Sequence, residues 1–227
     1  MKIYLFGLLT GLILAGLILV GLPFLQPTLV GRLATSNEPS GSAATANNIS
    51  QSVPASQRFP LTLAISDNGG QSSVEPATDL TSLSVTFSQT VIKPTSFTNP
   101  TLKIGQNHQE ILNLTQPTIE LFSLHGSGAL TDLATTDLAA GTYQTLELTI
   151  GSLRGRTSGG QVVEIPVTTQ NSHLKILLNQ TWSPTTSIQV VIDFDSLASV
   201  SQTAQSYSFV PVIRQVFVND ELVTSSP

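Results

Sequence analysis

Two aspartates, Asp193 and Asp195, close the run Ser187-Ile-Gln-Val-Val-Ile-Asp-Phe-Asp195. On a pleated strand, residues i and i+2 project from the same face. The two carboxylates therefore stand side by side at the strand end. Such a pair suits a hard cation, since Ca²⁺ takes about six to eight oxygens from carboxylates, carbonyls and water. Asp67 with Asn68, or Glu75 and Asp79, would add oxygens if their loops fold near. The competing reading is structural, with both aspartates capping the strand end and accepting bonds from turn backbone. No EF-hand loop or glycine-aspartate repeat accompanies them. Calcium is the one cofactor the residues suggest.

Trp182 is the second candidate. It lies in Asn179-Gln-Thr-Trp-Ser-Pro184, a polar stretch between two strand patterns. Exposed there, its indole would stack on a sugar ring or anchor a protein partner. Folded back, it would cover the end of a core. His108, His125 and His173 share no metal-ligand spacing, and His125-Gly-Ser-Gly128 reads as a turn. A serine nucleophile needs a base and an orienting acid, and no Gly-x-Ser-x-Gly elbow marks one. No enzyme is expected. Arg154-Gly-Arg156 reads as a solvated hairpin flank.

The aspartates need a strand to hold them, and the same run supplies it. Ile188, Val190, Ile192 and Phe194 alternate toward one side, which predicts a core face. Gln189, Asp193 and Asp195 take the other side, with Val191 between them. Similar alternation marks Leu61 to Ile65, Leu83 to Phe87 (continuing toward Ile92), and Leu174 to Leu178. Shorter strands are expected at Glu110 to Leu114 and Thr118 to Leu124. Pro94 and Pro100 bracket a loop, and Leu130 to Leu138 fits a short helix or an irregular strand. Gly141-Thr-Tyr143 opens a long strand with a corner tyrosine, whose phenol would bond nearby backbone. Gly159-Gly160 predicts a hairpin turn. Tyr207 to Val218 reads as one strand, with Pro211 requiring a bulge or an edge. Many short strands separated by turn residues predict an all-β sandwich, Ig-like or prealbumin-like, over residues 59–219. Residues 220–227 read as a tail.

Composition sets the surroundings. The chain has 227 residues, no cysteine and a net charge of -5. That excludes disulfides and thiolate metal sites, and it leaves no basic footprint for nucleic acid. Residues 3–31 carry no charge, and Ile3 to Leu25 is almost wholly apolar. A spanning helix needs about 20 such residues, whereas a cleavable signal has about 7–15. Residues 1–31 are therefore expected to be an uncleaved single-pass anchor, with secretion following if the segment is cleaved. Residues 32–58, rich in Ser, Thr, Asn, Ala and Pro, are expected to be a flexible linker.

From about Phe59 to Val218 the order of features resembles the domain of unknown function 4382 family of bacterial and archaeal exported proteins. The resemblance rests on Leu61-Thr-Leu-Ala-Ile-Ser-Asp67, Leu83-Ser-Val-Thr-Phe87, Ala140-Gly-Thr-Tyr143, Ile192-Asp-Phe-Asp195 and Ser206-Tyr-Ser-Phe-Val-Pro-Val-Ile-Arg214. It implies a surface-anchored β-sandwich and no known activity. The expectation is a membrane-tethered domain outside the cytoplasm, with a binding, adhesion or structural role at the cell envelope. An envelope polysaccharide or a surface protein is the expected partner. The alternatives are an envelope enzyme or accessory domain with a loop-built site, and a calcium-stabilised surface domain.

Overall fold

Side chains of alternating character meet water on one side and one another on the other, and the strands follow that pattern. A computed structural model describes residues 57–69, 78–105, 107–183, 187–204 and 206–225. All of these belong to one compact unit, Ala44–Pro227. The expected anchor 1–31 lies outside the described residues. So do Glu75 and all of the expected linker except Gln57 and Arg58. Among the described residues no helix is long and apolar enough to cross a membrane.

Two six-stranded sheets form the sandwich. The first runs β14 (Glu221–Ser225), β13 (Ile213–Val218), β10 (Ile188–Phe194), β1 (Arg58–Ser66), β6 (Thr131–Ala139), β4 (Asn113–Leu114). The second runs β3 (Glu110–Ile111), β2 (Leu80–Phe97), β7 (Gly141–Thr157), β8 (Val162–Ile165). β5 (Thr118–Glu120) also pairs with β2, and β9 (His173–Trp182) with β7. A small ribbon joins β11 (Val200–Gln202) to β12 (Tyr207–Phe209). Two single turns of helix, α1 (Leu121–Leu124) and α2 (Ser196–Ser199), lie between strands.

The core takes Phe59, Leu61, Leu63 and Ile65 from β1 and Ile188, Val190, Ile192 and Phe194 from β10. From the second sheet come Leu83, Val85 and Phe87, with Leu146, Leu148, Ile150, Leu174, Ile176 and Leu178. Burying one such side chain contributes about 1.5–3 kcal/mol. The alternation of β10 holds on its inner face. Its outer face is less open than the sequence suggests, because Val191 and Asp193 are also buried.

Four sequence expectations change, and one left open is decided. β2 passes through Pro94 instead of ending there, and register shifts on either side of Pro94 absorb its missing N–H. Of the two readings open for Leu130 to Leu138 the strand holds, as β6, and Leu121–Leu124 is helix α1 where strand was expected. The run Tyr207 to Val218 is two strands in two sheets. At the break Val210 N–H donates to Ser199 O (2.8 Å) and Val212 N–H to Ser199 Oγ (2.9 Å), while Pro211 has no N–H to give. Within the expected tail, Glu221–Ser225 is a strand that extends the first sheet. Asn219 and Asp220, with φ of +49° and +66°, make the tight hairpin turn between β13 and β14.

The corner tyrosine forms as expected. Tyr143 is fully buried, and its phenol donates to Ala139 O at 2.7 Å. Burial, with the charge of Glu110 adding, holds its phenol pKa well above the ordinary value near 10. The folded-state value is raised, so the stability it contributes is complete below about pH 10 and is lost as pH climbs beyond. Tyr143→Phe is expected to cost about 1 kcal/mol near neutrality. It should also flatten the alkaline fall in urea-unfolding stability between pH 9 and 11. An unchanged alkaline slope would place its origin elsewhere, for instance at Tyr207, whose exposed phenol is raised by its bond to Asp79.

Candidate functional site

Strand register builds the polar end of the first sheet. β1 and β10 run parallel, with Leu61 beside Ile188 and Ser66 beside Asp193. Both strands therefore stop at one level, and their acidic ends, Asp67 and Asp193–Asp195, arrive together. β13 returns antiparallel on the other side of β10. Gln215 pairs with Asp193 and Ile213 with Phe194, which leaves Arg214 as the extra residue of a bulge. A bulge re-aims its side chain, and here it sends a guanidinium across the strand ends.

Arg214 Nη2 donates to Asp67 Oδ1 at 2.6 Å and to Phe194 O at 2.8 Å. Its Nε lies 3.4 Å from Asp193 Oδ2, and Nη1 lies 3.5 Å from Asp195 Oδ2. One cation thus sits among three carboxylates. Asp67 is fully buried, and the Arg214 side chain is 21% exposed. A buried carboxylate must be paired or heavily hydrogen-bonded to stay charged, and Asp67 is both. It accepts from Ser196 Oγ, from Ser196 N–H (3.2 Å) and from Gly69 N–H (3.3 Å). His125 Nδ1 is 3.1 Å from each of its oxygens. Asp193 accepts from Ser66 Oγ (3.0 Å) and Asn68 N–H (2.8 Å). Asp195 is the N-cap of α2 and accepts from Ala198 N–H at 2.9 Å.

The imidazole of His125 lies against bare backbone. A Cβ on Gly69 would stand 2.6 Å from His125 Cε1, so only glycine lets the ring approach Asp67. Serine, carboxylate and imidazole are all present, but Asp67 stands between the other two. In a hydrolase the imidazole stands between hydroxyl and carboxylate. Ser196 is also fully buried.

The structure brings Asp67, Asp193 and Asp195 together, as their strand ends allow. Asp79 goes elsewhere, accepting from the Tyr207 phenol at 2.6 Å. Among the described residues no group of three or more His, Cys, Asp or Glu side chains is placed to hold a metal ion. The histidines are separate. His108 meets Glu110 (3.2 Å) in a nearly buried pair, and His173 meets Thr149 (3.3 Å). Sequence reasoning missed Arg214 and Ser196 as members of this cluster. The signal for Arg214 was available: an arginine inside an apolar strand needs a carboxylate partner when it folds.

Of the two readings open for Trp182, the structure takes the folded-back one. Trp182 ends β9 instead of sitting in an exposed turn, and only 5% of it is exposed. Its ring stacks on Tyr143 at 5.2 Å and meets Phe59 edge-on at 6.1 Å. Two aromatic neighbours offer the indole more buried contact than solvent would. Its faces are therefore closed to a stacked sugar. Its Nε1 is buried without an acceptor.

A family model described as Domain of unknown function (DUF4382) matches residues 60–211. No curated protein and no solved structure matches the chain.

Proposed function

The chain belongs to the Domain of unknown function (DUF4382) family, and from that premise we propose a membrane-tethered β-sandwich with a binding, adhesion or structural role at the cell envelope. The observation that carries this reading is the order of segments. An apolar run without charge, residues 3–31, precedes a Ser-, Thr- and Asn-rich stretch, and a sandwich follows. The apolar run is long enough for a single-pass anchor, with Lys2 on the cytoplasmic side and the sandwich outside. If the run is cleaved, the domain is secreted.

The sandwich is of the Ig-like or prealbumin-like kind, a reading supported by the bond of Tyr143 to Ala139 O. Its role is not catalytic. The buried Ser196 and the central position of Asp67 support this, because at this cluster they leave no accessible nucleophile beside a base. Asp193 and Asp195 serve with Asp67 as the frame of Arg214 and not as ligands of Ca²⁺. A guanidinium already lies among their oxygens, which supports that assignment. Partners are sought at the envelope, either a polysaccharide or a surface protein. The net charge of -5 supports none among nucleic acids.

Protease treatment of intact cells that lack an outer barrier tests the topology, with an epitope fused to the C-terminus. The expected result is loss of the epitope from cells whose cytoplasmic markers stay whole, with the untreated protein pelleting with membranes. Epitope in the medium would mean cleavage and secretion. A protected epitope overturns the extracytoplasmic reading.

A further inference from the structure

β1 is the first strand of the sandwich, yet it lies inside the first sheet and not at its edge. Leu61 to Ser66 pair in parallel with Ile188 to Asp193 of β10, and Arg58 to Ile65 pair antiparallel with Ala139 to Thr131 of β6. We propose that β1 is a shear clamp, with which the domain serves as a mechanical link between the membrane and a partner held at its far end. The proposal rests on the tethered reading above and adds a mechanical function to it.

The direction of pull carries the argument. A tether draws on β1 at Gln57, beyond the start of the strand. Ladder hydrogen bonds lie across the strands. A pull along the strand axis therefore loads both ladders of β1 together, whereas prying strands apart at one end loads one rung at a time. Each rung is weak alone, so the arrangement of load sets the barrier, and forced unfolding is governed by that barrier. The side-chain pattern blocks a gradual slip as well. Phe59, Leu61, Leu63 and Ile65 face the core, and a shift by one residue turns that face outward. A shift by two brings Asp67, which shares their side of the strand by spacing, into the core place of Ile65. A carboxylate there has no partner for its charge.

Both ends of β1 are fastened. At its start, Arg58 Nη2 donates to Asp137 O (3.0 Å), Ala140 N–H donates to Gln57 O (3.3 Å), and Asn99 Nδ2 donates to Gln57 Oε1 (2.8 Å). At its far end, the Asp67–Arg214 ion pair ties it to β13, and the bonds of Ser66 Oγ and Asn68 N–H to Asp193 tie it to β10. The charged staple thus sits where a pull from the tether must drag the strand away from it.

The chain has no cysteine, so introduced thiols carry the pulling handles. Single molecules of the full chain in lipid nanodiscs are stretched between Ser40→Cys, which precedes the domain in sequence, and a second thiol at one of two exposed sites. Ala129→Cys stands just before β6, whose Thr131 pairs with Ile65 at the far end of β1, so this handle pulls along the strands. Lys103→Cys follows Leu102, which borders the same cleft as Gln57, so this handle pries at the near end. The expected result is a rupture force severalfold higher with the handle at 129 than with the handle at 103. Equal forces, or a lower force along the strands, overturn the clamp. Protease accessibility of the domain is a separate readout. Equal forces in an exposed domain sink the clamp alone, and a protected domain sinks the tethered reading whatever the forces are.

Discussion

Arg214→Ala is expected to lower the unfolding free energy by about 3–5 kcal/mol, the usual cost of removing one partner from a buried ion pair. The lower end applies best, because the guanidinium is 21% exposed and water can partly replace it. Most of the loss belongs to Asp67. That carboxylate has no exposure of its own, and without Arg214 it keeps only neutral donors and His125. Asp195→Ala is the contrast. It removes a cap on a single turn of helix, for which about 1 kcal/mol is expected. Urea unfolding of both variants measures the difference. An Arg214→Ala loss under about 1 kcal/mol would show that the cluster does not staple the strand ends. A calcium titration of the wild type completes the comparison. If Asp67, Asp193 and Asp195 frame Arg214, the melting temperature stays put at millimolar calcium. A native-state ligand at a hundred times its Kd would instead add about 2.7 kcal/mol.

Trp182→Ala should cost about 3–5 kcal/mol, as large aromatic truncations in cores do. The indole stacks on Tyr143 and meets Phe59 edge-on, both fully buried, so the neighbours have little freedom to collapse into the space. Trp182→Phe should cost much less. It keeps a ring against Tyr143 and removes an N–H that has no acceptor in the protein. Circular dichroism must follow these melts, because the chain has no other tryptophan. If Trp182→Ala unfolds within about 1 kcal/mol of wild type, the ring is not part of the core in solution. An exposed platform for ligands would then return as the better account.

Legibility tracked distance along the chain. The inward faces of β1, β9 and β10 were readable because period-two alternation is a local property, carried by neighbours two residues apart. The corner at Tyr143 was readable for the same reason, its acceptor lying four residues away. Pro94 misled because its cost in a strand depends on what the partner strand does, and β7 accommodates it with shifted register. Pro211 was read as a bulge or an edge within one strand, not as a break. That it sends the chain from one sheet to another was not legible, because Ser199 receives the freed backbone from outside the run.

The same division runs through the candidate site. Sequence alone determined an all-β domain, its family, and two aspartates projecting together from the end of a core strand. It also kept the metal and structural readings of those aspartates both open. Tertiary structure decided what surrounds them. Asp67 lies 147 residues from Arg214 in sequence, yet they form a 2.6 Å ion pair. Only the parallel register of β1 with β10 and the bulge in β13 bring them together. Trp182 shows the reverse case, since its local sequence is polar and its burial comes from Phe59 and Tyr143 on other strands. Alternation is fixed by the geometry of one chain, whereas a charge or a ring takes its meaning from neighbours that only pairing across the sandwich supplies.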